Sequence, residues 1–149
     1  MSTVTSTRDV GSDATRSGPR ATLWVLRVLA LATSVTIVAQ PLLAGFYLDG
    51  DMDALTVHGI NGHVVTGFVF LELIAAVVFW LAGQGRGWPA LALLGLFFAV
   101  ETQVGMGYAR MLGIHIPLGV TVVVLQLAFT VWVFTARSRR PRTRRGGRR

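Results

Sequence analysis

The chain contains no cysteine and no lysine, and charged residues make up only 14% of its 149 residues. The absence of cysteine excludes disulfides, thiol catalysis, iron–sulfur clusters and cysteine-ligated zinc. The formal net charge of +7 comes from arginine alone, because there is no lysine. A P-loop, a dinucleotide-binding glycine motif, a serine nucleophile elbow and the His/Glu spacing of zinc hydrolases are missing too. The sequence therefore gives no direct evidence for an enzyme.

What the chain has instead is long apolar runs. Hydrophobic residues make up 52% of it, and the mean hydropathy is +0.59. Four runs are each close to the roughly 20 residues that cross a hydrocarbon core about 30 Å thick. They are Thr22–Tyr47, His58–Ala82, Trp88–Tyr108 and Ile114–Ala136. Because the loops between them are short, we expect an all-α integral membrane protein, a four-helix antiparallel bundle of two hairpins over residues 21–136.

The arginines predict how the bundle is oriented. Eight of the fourteen follow Ala136, three more precede the first run, and Arg86 lies in the middle loop. The first loop instead holds Asp49, Asp51 and Asp53. The positive-inside rule then predicts a multi-pass protein of the bacterial cytoplasmic (inner) membrane with both termini in the cytoplasm.

The two ends of the chain are predicted to lie outside the bundle. Residues 1–20 are rich in Ser, Thr and Gly without apolar periodicity, which is typical of a disordered segment. The arginine-rich tail, residues 137–149, is expected to contact anionic lipid at the membrane surface. It has no aromatic residues on which bases would stack, so no nucleic-acid partner is expected.

A short phrase occurs twice, each time where one apolar run ends and the next begins. The copies are Gln40, Gly45 and His63-Val-Val-Thr-Gly67, then Gln103, Gly107 and His115-Ile-Pro-Leu-Gly119. In both, an apolar helix ends near a glutamine and a glycine, and a histidine opens the next helix. The pattern indicates a weak internal repeat, and membrane proteins often build a site between two such repeats.

The repeated histidines suit a flat cofactor held between two helices. His63 and His115 each have a glycine four residues later, Gly67 and Gly119, on the same helix face. Such a glycine would leave a flat notch beside the imidazole, and neutral imidazole is a standard axial ligand of haem iron. Arg110, which lies in an outward loop against the topology rule, would sit where a haem propionate needs a cation. The pattern predicts haem b with His63 and His115 as metal ligands.

His58 is the second choice for the ligand on this helix. The segment His58-Gly-Ile-Asn-Gly62 has the same His-x-x-x-Gly form. On one helix, the side chains of His58 and His63 would point about 140° apart, so only one of them faces a given partner. We prefer His63, because the residues after it match the second copy better. The alternative for all these residues is a packing role, with histidines at the headgroup level and glycines at helix contacts.

Four other polar residues fall within the runs: Glu72, Glu101, Gln40 and Gln103. The two carboxyl groups are expected about half-way through the bilayer, where an unpaired charge is costly. They are either proton-relay or quinone-site carboxyls, or protonated groups that hydrogen-bond across helices. The glutamines are expected to hydrogen-bond between helices.

The stretch Gln103-Val-Gly-Met-Gly-Tyr-Ala-Arg110 followed by His115 resembles a half-repeat of the haem A synthase family. In that family each four-helix half binds haem between histidines of its second and fourth helices. The resemblance implies that His63 and His115 are axial ligands and that Arg110 lies near a propionate. The family has eight spans and this chain has four, so the resemblance implies a haem-binding half. The chain is also similar to small uncharacterised four-helix membrane proteins of bacteria.

The leading functional hypothesis is therefore a b-type haem protein, either an electron carrier or a haem-handling accessory. One alternative is a non-enzymatic membrane subunit or scaffold in which the repeat serves packing. Another is a small proton-coupled transporter that uses Glu72 and Glu101, and with four spans it would need to oligomerise. The expected partners are the lipid bilayer and either a second copy of the chain or a larger membrane complex.

Overall fold

A computed structural model of the protein describes residues 20–139. These residues form four long helices, followed by a short 3₁₀ helix over Ala136–Arg139. The long helices are α1 (Arg20–Leu48), α2 (Met52–Leu81), α3 (Trp88–Tyr108) and α4 (Leu112–Phe134). The described residues contain no strand, so the all-α prediction is confirmed for this part of the chain. The predicted disordered N-terminal segment and most of the arginine-rich tail lie outside the described residues.

All four helices are long and apolar enough to cross a membrane. The shortest, α3, has 21 residues and therefore extends about 30 Å at 1.5 Å per residue. Large apolar side chains are exposed on the outside of the bundle, among them Val35 on α1 and Leu91 on α3. Such a surface is unfavourable in water and favourable in lipid. Four apolar helices therefore indicate a multi-pass membrane protein.

Helix α2 begins six residues before the apolar run that predicted it. The Asp51 side chain accepts hydrogen bonds from the backbone N–H of Asp53 (3.0 Å) and Ala54 (3.2 Å). Such an N-cap satisfies donors that the first turn leaves without intrahelical partners. Because the helix starts at Met52, neither His58 nor His63 opens it. The prediction that a histidine begins this helix is wrong, and both residues lie well inside α2.

The helices pack in a ring, in which α1 contacts α2, α2 contacts α3, α3 contacts α4, and α4 contacts α1. Over residues 20–139 there is no close backbone contact between α2 and α4 or between α1 and α3. These two pairs therefore lie diagonally across the bundle. A side chain that is to link α2 with α4 must reach through the middle of the bundle.

Close packing is concentrated in one half of the bundle. Leu26, Val69, Phe79 and Val133 are fully buried there and belong to one apolar cluster. We call residues 38–64 and 101–121 the open half, because Ala54 is the only one of them that is buried. The remaining described residues, 20–37, 65–100 and 122–139, form the packed half.

The loop between α2 and α3 folds back against the end of α2. A Cβ atom added at Gly85 would overlap the ring of Phe79, and one added at Gly87 would lie 2.8 Å from the Trp80 ring. The preceding Gln84 has a φ of 53°, which turns the chain back toward the helix. Glycine at these two positions is therefore what allows the loop to close over the aromatic side chains.

We predict that Gly85→Ala lowers the stability of the protein by roughly 1–3 kcal/mol, as is usual for overpacking against a buried side chain. The Phe79 ring is fully buried and has no room to move away from the added methyl group. The matched control is Gly95→Ala on α3, where an added Cβ meets no atom within 4 Å. Thermal unfolding followed by circular dichroism in detergent measures the difference. Equal melting temperatures for the two variants would contradict the prediction.

Candidate functional site

Two histidines face each other in the open half of the bundle. The ring centroids of His58 on α2 and His115 on α4 are 6.1 Å apart, and their planes are inclined by 59°. Both side chains are partly buried. Since α2 and α4 are diagonal neighbours, the two imidazoles meet in the middle of the bundle.

Each imidazole is held by the main chain of the helix that precedes it. Nδ1 of His58 lies 3.1 Å from the carbonyl oxygen of Gln40, and Nδ1 of His115 lies 2.9 Å from that of Gln103. A carbonyl only accepts hydrogen bonds, so a ring nitrogen paired with it carries the hydrogen and leaves Nε2 with a free lone pair. A metal-binding histidine usually has this arrangement, with its other ring nitrogen bonded to a carbonyl or carboxylate.

The side chains of the two glutamines pack on glycines one turn beyond the histidines. A Cβ added at Gly62 would lie 3.3 Å from the Gln40 amide, and one added at Gly119 would lie 2.6 Å from the Gln103 amide. Gln40/His58/Gly62 and Gln103/His115/Gly119 are therefore two units built alike, which we call the Gln–His–Gly units. The notch predicted beside His115 at Gly119 is filled by the Gln103 amide.

The first unit has additional hydrogen bonds. When the Gln40 amide is oriented with its oxygen toward Gly62, this oxygen accepts from the Gly62 N–H at 2.9 Å. The amide nitrogen then donates to the His58 carbonyl at 3.2 Å. That nitrogen also lies 2.9 Å from His58 Nδ1, so this ring atom has both a donor and an acceptor within reach. Next to it, the Asn61 amide donates to the Thr36 carbonyl at 2.8 Å. These bonds hold the part of α2 that belongs to the open half against α1.

His63 lies on a different face of α2. Its side chain is exposed, and its Nε2 is 3.1 Å from the Tyr108 hydroxyl at the end of α3. Gly67, one turn further along the same face, has no atom within 4 Å of an added Cβ. The structure thus brings His58, the second choice from the sequence, next to His115, while His63 pairs with Tyr108.

A sequence signal for His58 was present in the pattern of α2. His58, Val65, Val69 and Glu72 follow one another at helical spacing, and the last three are buried. His58 and Glu72 are fourteen residues apart, which places them within about 40° on an ideal helix. A buried face that includes Glu72 therefore includes His58 and leaves His63 outside.

Arg110 lies in the loop between α3 and α4, five residues before His115. Its φ is 58°, and its backbone N–H donates to the Gly107 carbonyl at 3.0 Å, so it forms a tight turn at the helix end. The side chain is exposed. The predicted propionate partner is thus at the same end of the bundle as the histidine pair.

The two carboxyl groups inside the spans have opposite surroundings. Glu72 has no exposed surface, and both its oxygens accept from the Gln126 amide, at 3.2 and 3.1 Å. Glu101 is exposed on the outside of α3. The same roles were predicted for both from the sequence, whereas the structure buries Glu72 in the packed half and exposes Glu101 on the surface.

Comparison of the chain with models of known families, with curated proteins and with solved structures finds no match. The resemblance to haem A synthase therefore stays a prediction. Among residues 20–139 there is also no group of three or more His, Cys, Asp or Glu side chains arranged to hold a metal ion. The paired histidines His58 and His115 are therefore the feature from which we infer a function.

We predict that Gly119→Ala is less stable than Gly67→Ala by about 1 kcal/mol, because the added methyl group must displace the Gln103 amide at the end of a flexible side chain. Gly67→Ala is the matched control, since it lies four residues after His63 but faces open space. It is expected to be neutral or slightly stabilising, because alanine favours a helix over glycine by up to about 1 kcal/mol. Both are measured by thermal unfolding of protein prepared without added haem. The same loss in both variants would show that the Gln103 contact is not what requires glycine.

Proposed function

We propose that the protein binds b-type haem in the bacterial cytoplasmic membrane, with His58 and His115 as axial ligands, and serves as an electron carrier or a haem-handling accessory. The observation that carries the proposal is the His58–His115 pair, whose ring centroids are 6.1 Å apart. His63 and His115, the pair implied by the resemblance, form the competing ligand set.

The distance between the imidazoles supports two ligands on opposite sides of one metal ion. Metal–imidazole nitrogen bonds are about 2 Å long, so two coaxial imidazoles on one ion have ring centroids roughly 6 Å apart. The carbonyls of Gln40 and Gln103 hold the Nδ1 sides of the rings. Nε2 of His115 is then available to a metal, and Nε2 of His58 is available when its Nδ1 donates to the Gln40 carbonyl instead of accepting from the Gln40 amide.

The number of ligands favours haem over a bare metal ion. Zinc sites require three or four protein ligands, and the described residues contain no such group. A porphyrin supplies four nitrogen ligands itself, so haem iron needs only one or two axial ligands from the protein. Two histidines without further ligands therefore suit haem.

The packing of the bundle also supports a large cofactor at this end. In the open half, residues 38–64 and 101–121, Ala54 is the only buried residue. A flat apolar ring between His58 and His115 would cover the partly buried side chains around them. Because Gln40 and Gln103 occupy the surfaces of Gly62 and Gly119, the ring would be positioned by the imidazoles and not by glycine notches. Arg110, at the rim, is the cation we propose for a propionate.

The proposal includes an antiparallel bundle with an internal repeat. Contacts pair early residues of one helix with late residues of its neighbour, as for His58 with Gln40 and for Arg27 with Val133. The two Gln–His–Gly units are then equivalent parts of two hairpins. Eight arginines follow α4 in the sequence, and α4 ends in the packed half, away from the histidine pair, so this pair would lie toward the outer side of the membrane.

The test is a dithionite-reduced minus oxidised absorption spectrum of the purified protein, expressed with ample haem. We expect sharp low-spin α and β bands in the wild type, because two imidazoles give a strong axial field. His58→Ala and His115→Ala should each lose these bands. His63→Ala is the matched control on the same helix and should keep them.

The outcomes separate the hypotheses. Loss of the bands in His63→Ala but not in His58→Ala would assign the site to the pair implied by the resemblance. Unchanged bands in both His58→Ala and His115→Ala would refute the proposed ligands. A flat spectrum from wild-type protein that is helical and monodisperse would refute haem binding and favour the scaffold hypothesis.

A further inference from the structure

The packed half contains a second polar site, which the proposed haem site does not use. Glu72 and Gln126 lie at its centre, and neither has exposed surface. The Gln126 amide nitrogen is surrounded by four oxygen atoms. They are the two Glu72 carboxyl oxygens at 3.2 and 3.1 Å, the Ala30 carbonyl at 3.3 Å and the Thr130 hydroxyl at 3.4 Å.

The Gln126 amide nitrogen has more acceptors around it than hydrogens to donate, although the Thr130 hydroxyl can itself donate to the Ala30 carbonyl at 3.2 Å. The amide group has two hydrogens for four oxygens, and all four distances exceed the usual 2.9–3.0 Å or so of an N–H···O bond. The Ser34 and Thr130 hydroxyls are paired with each other at 2.8 Å. The side-chain oxygen of Gln126 is buried without a hydrogen-bond partner. None of these contacts brings a positive charge to the Glu72 carboxyl group.

The charged groups of the neighbouring helices do not supply that charge. Arg27 on α1 donates through Nε to the Val133 carbonyl at 2.8 Å, and its guanidinium lies over the rings of Trp24 and Phe134. On α3 the charged side chain is Glu101, which is exposed and acidic. On α4 the titratable side chain is His115, eleven residues from Gln126 and bonded to the Gln103 carbonyl. On α2 itself the nearest is His63, nine residues away and exposed. The hydrogen bonds made by Glu72 therefore come from a neutral group.

An unpaired carboxylate without water is costly inside a bilayer, so a bound counter-charge is expected. We propose that Glu72 binds one exchangeable monovalent cation, a proton or a sodium ion, with Ser34, Gln126, Thr130 and the Ala30 carbonyl as its neutral oxygen neighbours. A single carboxylate matches a single positive charge. Oxygen atoms are the ligands of hard cations, and turning the Gln126 amide by 180° would add its unpaired oxygen to the set. The proposal does not depend on haem binding.

The experiment is labelling of the wild-type protein in detergent with a hydrophobic carbodiimide, which reacts with protonated carboxyl groups in apolar surroundings. Mass spectrometry of the peptides measures labelling at Glu72 and Glu101 separately, so the exposed Glu101 is an internal control for reagent activity. Labelling is measured from mildly acidic to mildly alkaline pH, in sodium chloride and in choline chloride at equal ionic strength.

We expect Glu72 to be labelled at low pH and several-fold less at high pH. Slower labelling in sodium than in choline, at Glu72 and not at Glu101, identifies sodium as the cation. Equal labelling in the two salts, with the same dependence on pH, identifies the proton. Labelling of Glu101 without any at Glu72 under all conditions would overturn the proposal, as would labelling of Glu72 that does not change with pH or salt.

A matched pair of variants tests the oxygen neighbours. Thr130→Val removes a hydroxyl from the site, whereas Thr121→Val removes an exposed hydroxyl that bonds to its own helix at the Pro117 carbonyl. Thr130→Val should change several-fold the proton concentration at which Glu72 is half-labelled, or the sodium concentration that half-protects Glu72. Thr121→Val should leave both concentrations unchanged. Identical behaviour of the two variants would contradict the role given to Thr130.

Discussion

Polar groups inside this bundle have no bulk water to pair with, and the structure follows from how each of them finds a partner. In an apolar environment every unmet donor or acceptor is costly, so polar side chains are placed where a neighbouring helix supplies the missing bond. His58 and His115 bond to carbonyls of the preceding helix, and Arg27 bonds to a carbonyl near the end of α4. These bonds set how the helices are paired and at which levels they meet.

The same constraint divides the molecule into two parts of different character. In the packed half, apolar side chains fill the interior around the Glu72–Gln126 pair, which joins α2 to α4 across the bundle. In the open half Ala54 is the only buried residue, and α2 and α4 approach each other through the imidazoles of His58 and His115. A closely packed half that aligns the helices and a second half with two facing histidines would suit the proposed cofactor.

The apolar runs predicted the four helices, whereas the local phrases did not decide which histidine of α2 faces His115. Four apolar runs were enough to predict four helices, since the length of a span follows from the thickness of the bilayer. The choice between His58 and His63 was harder, because both have a glycine four residues later. The structure brings His58 to His115 because Val65, Val69 and Glu72 fix which face of α2 is turned inward. The repeated phrase itself contains no information about that buried face.

The sequence by itself determined the all-α class, the approximate ends of the apolar helices and the small set of polar residues able to carry a function. These depend on composition and on the distance between neighbouring residues along one helix. Tertiary structure alone decided that Glu72 is buried while Glu101 is exposed, and that Gln103 rather than a cofactor covers Gly119. Both outcomes depend on the rotation of each helix about its axis. That rotation is set by packing against three other helices, and no short stretch of sequence contains it.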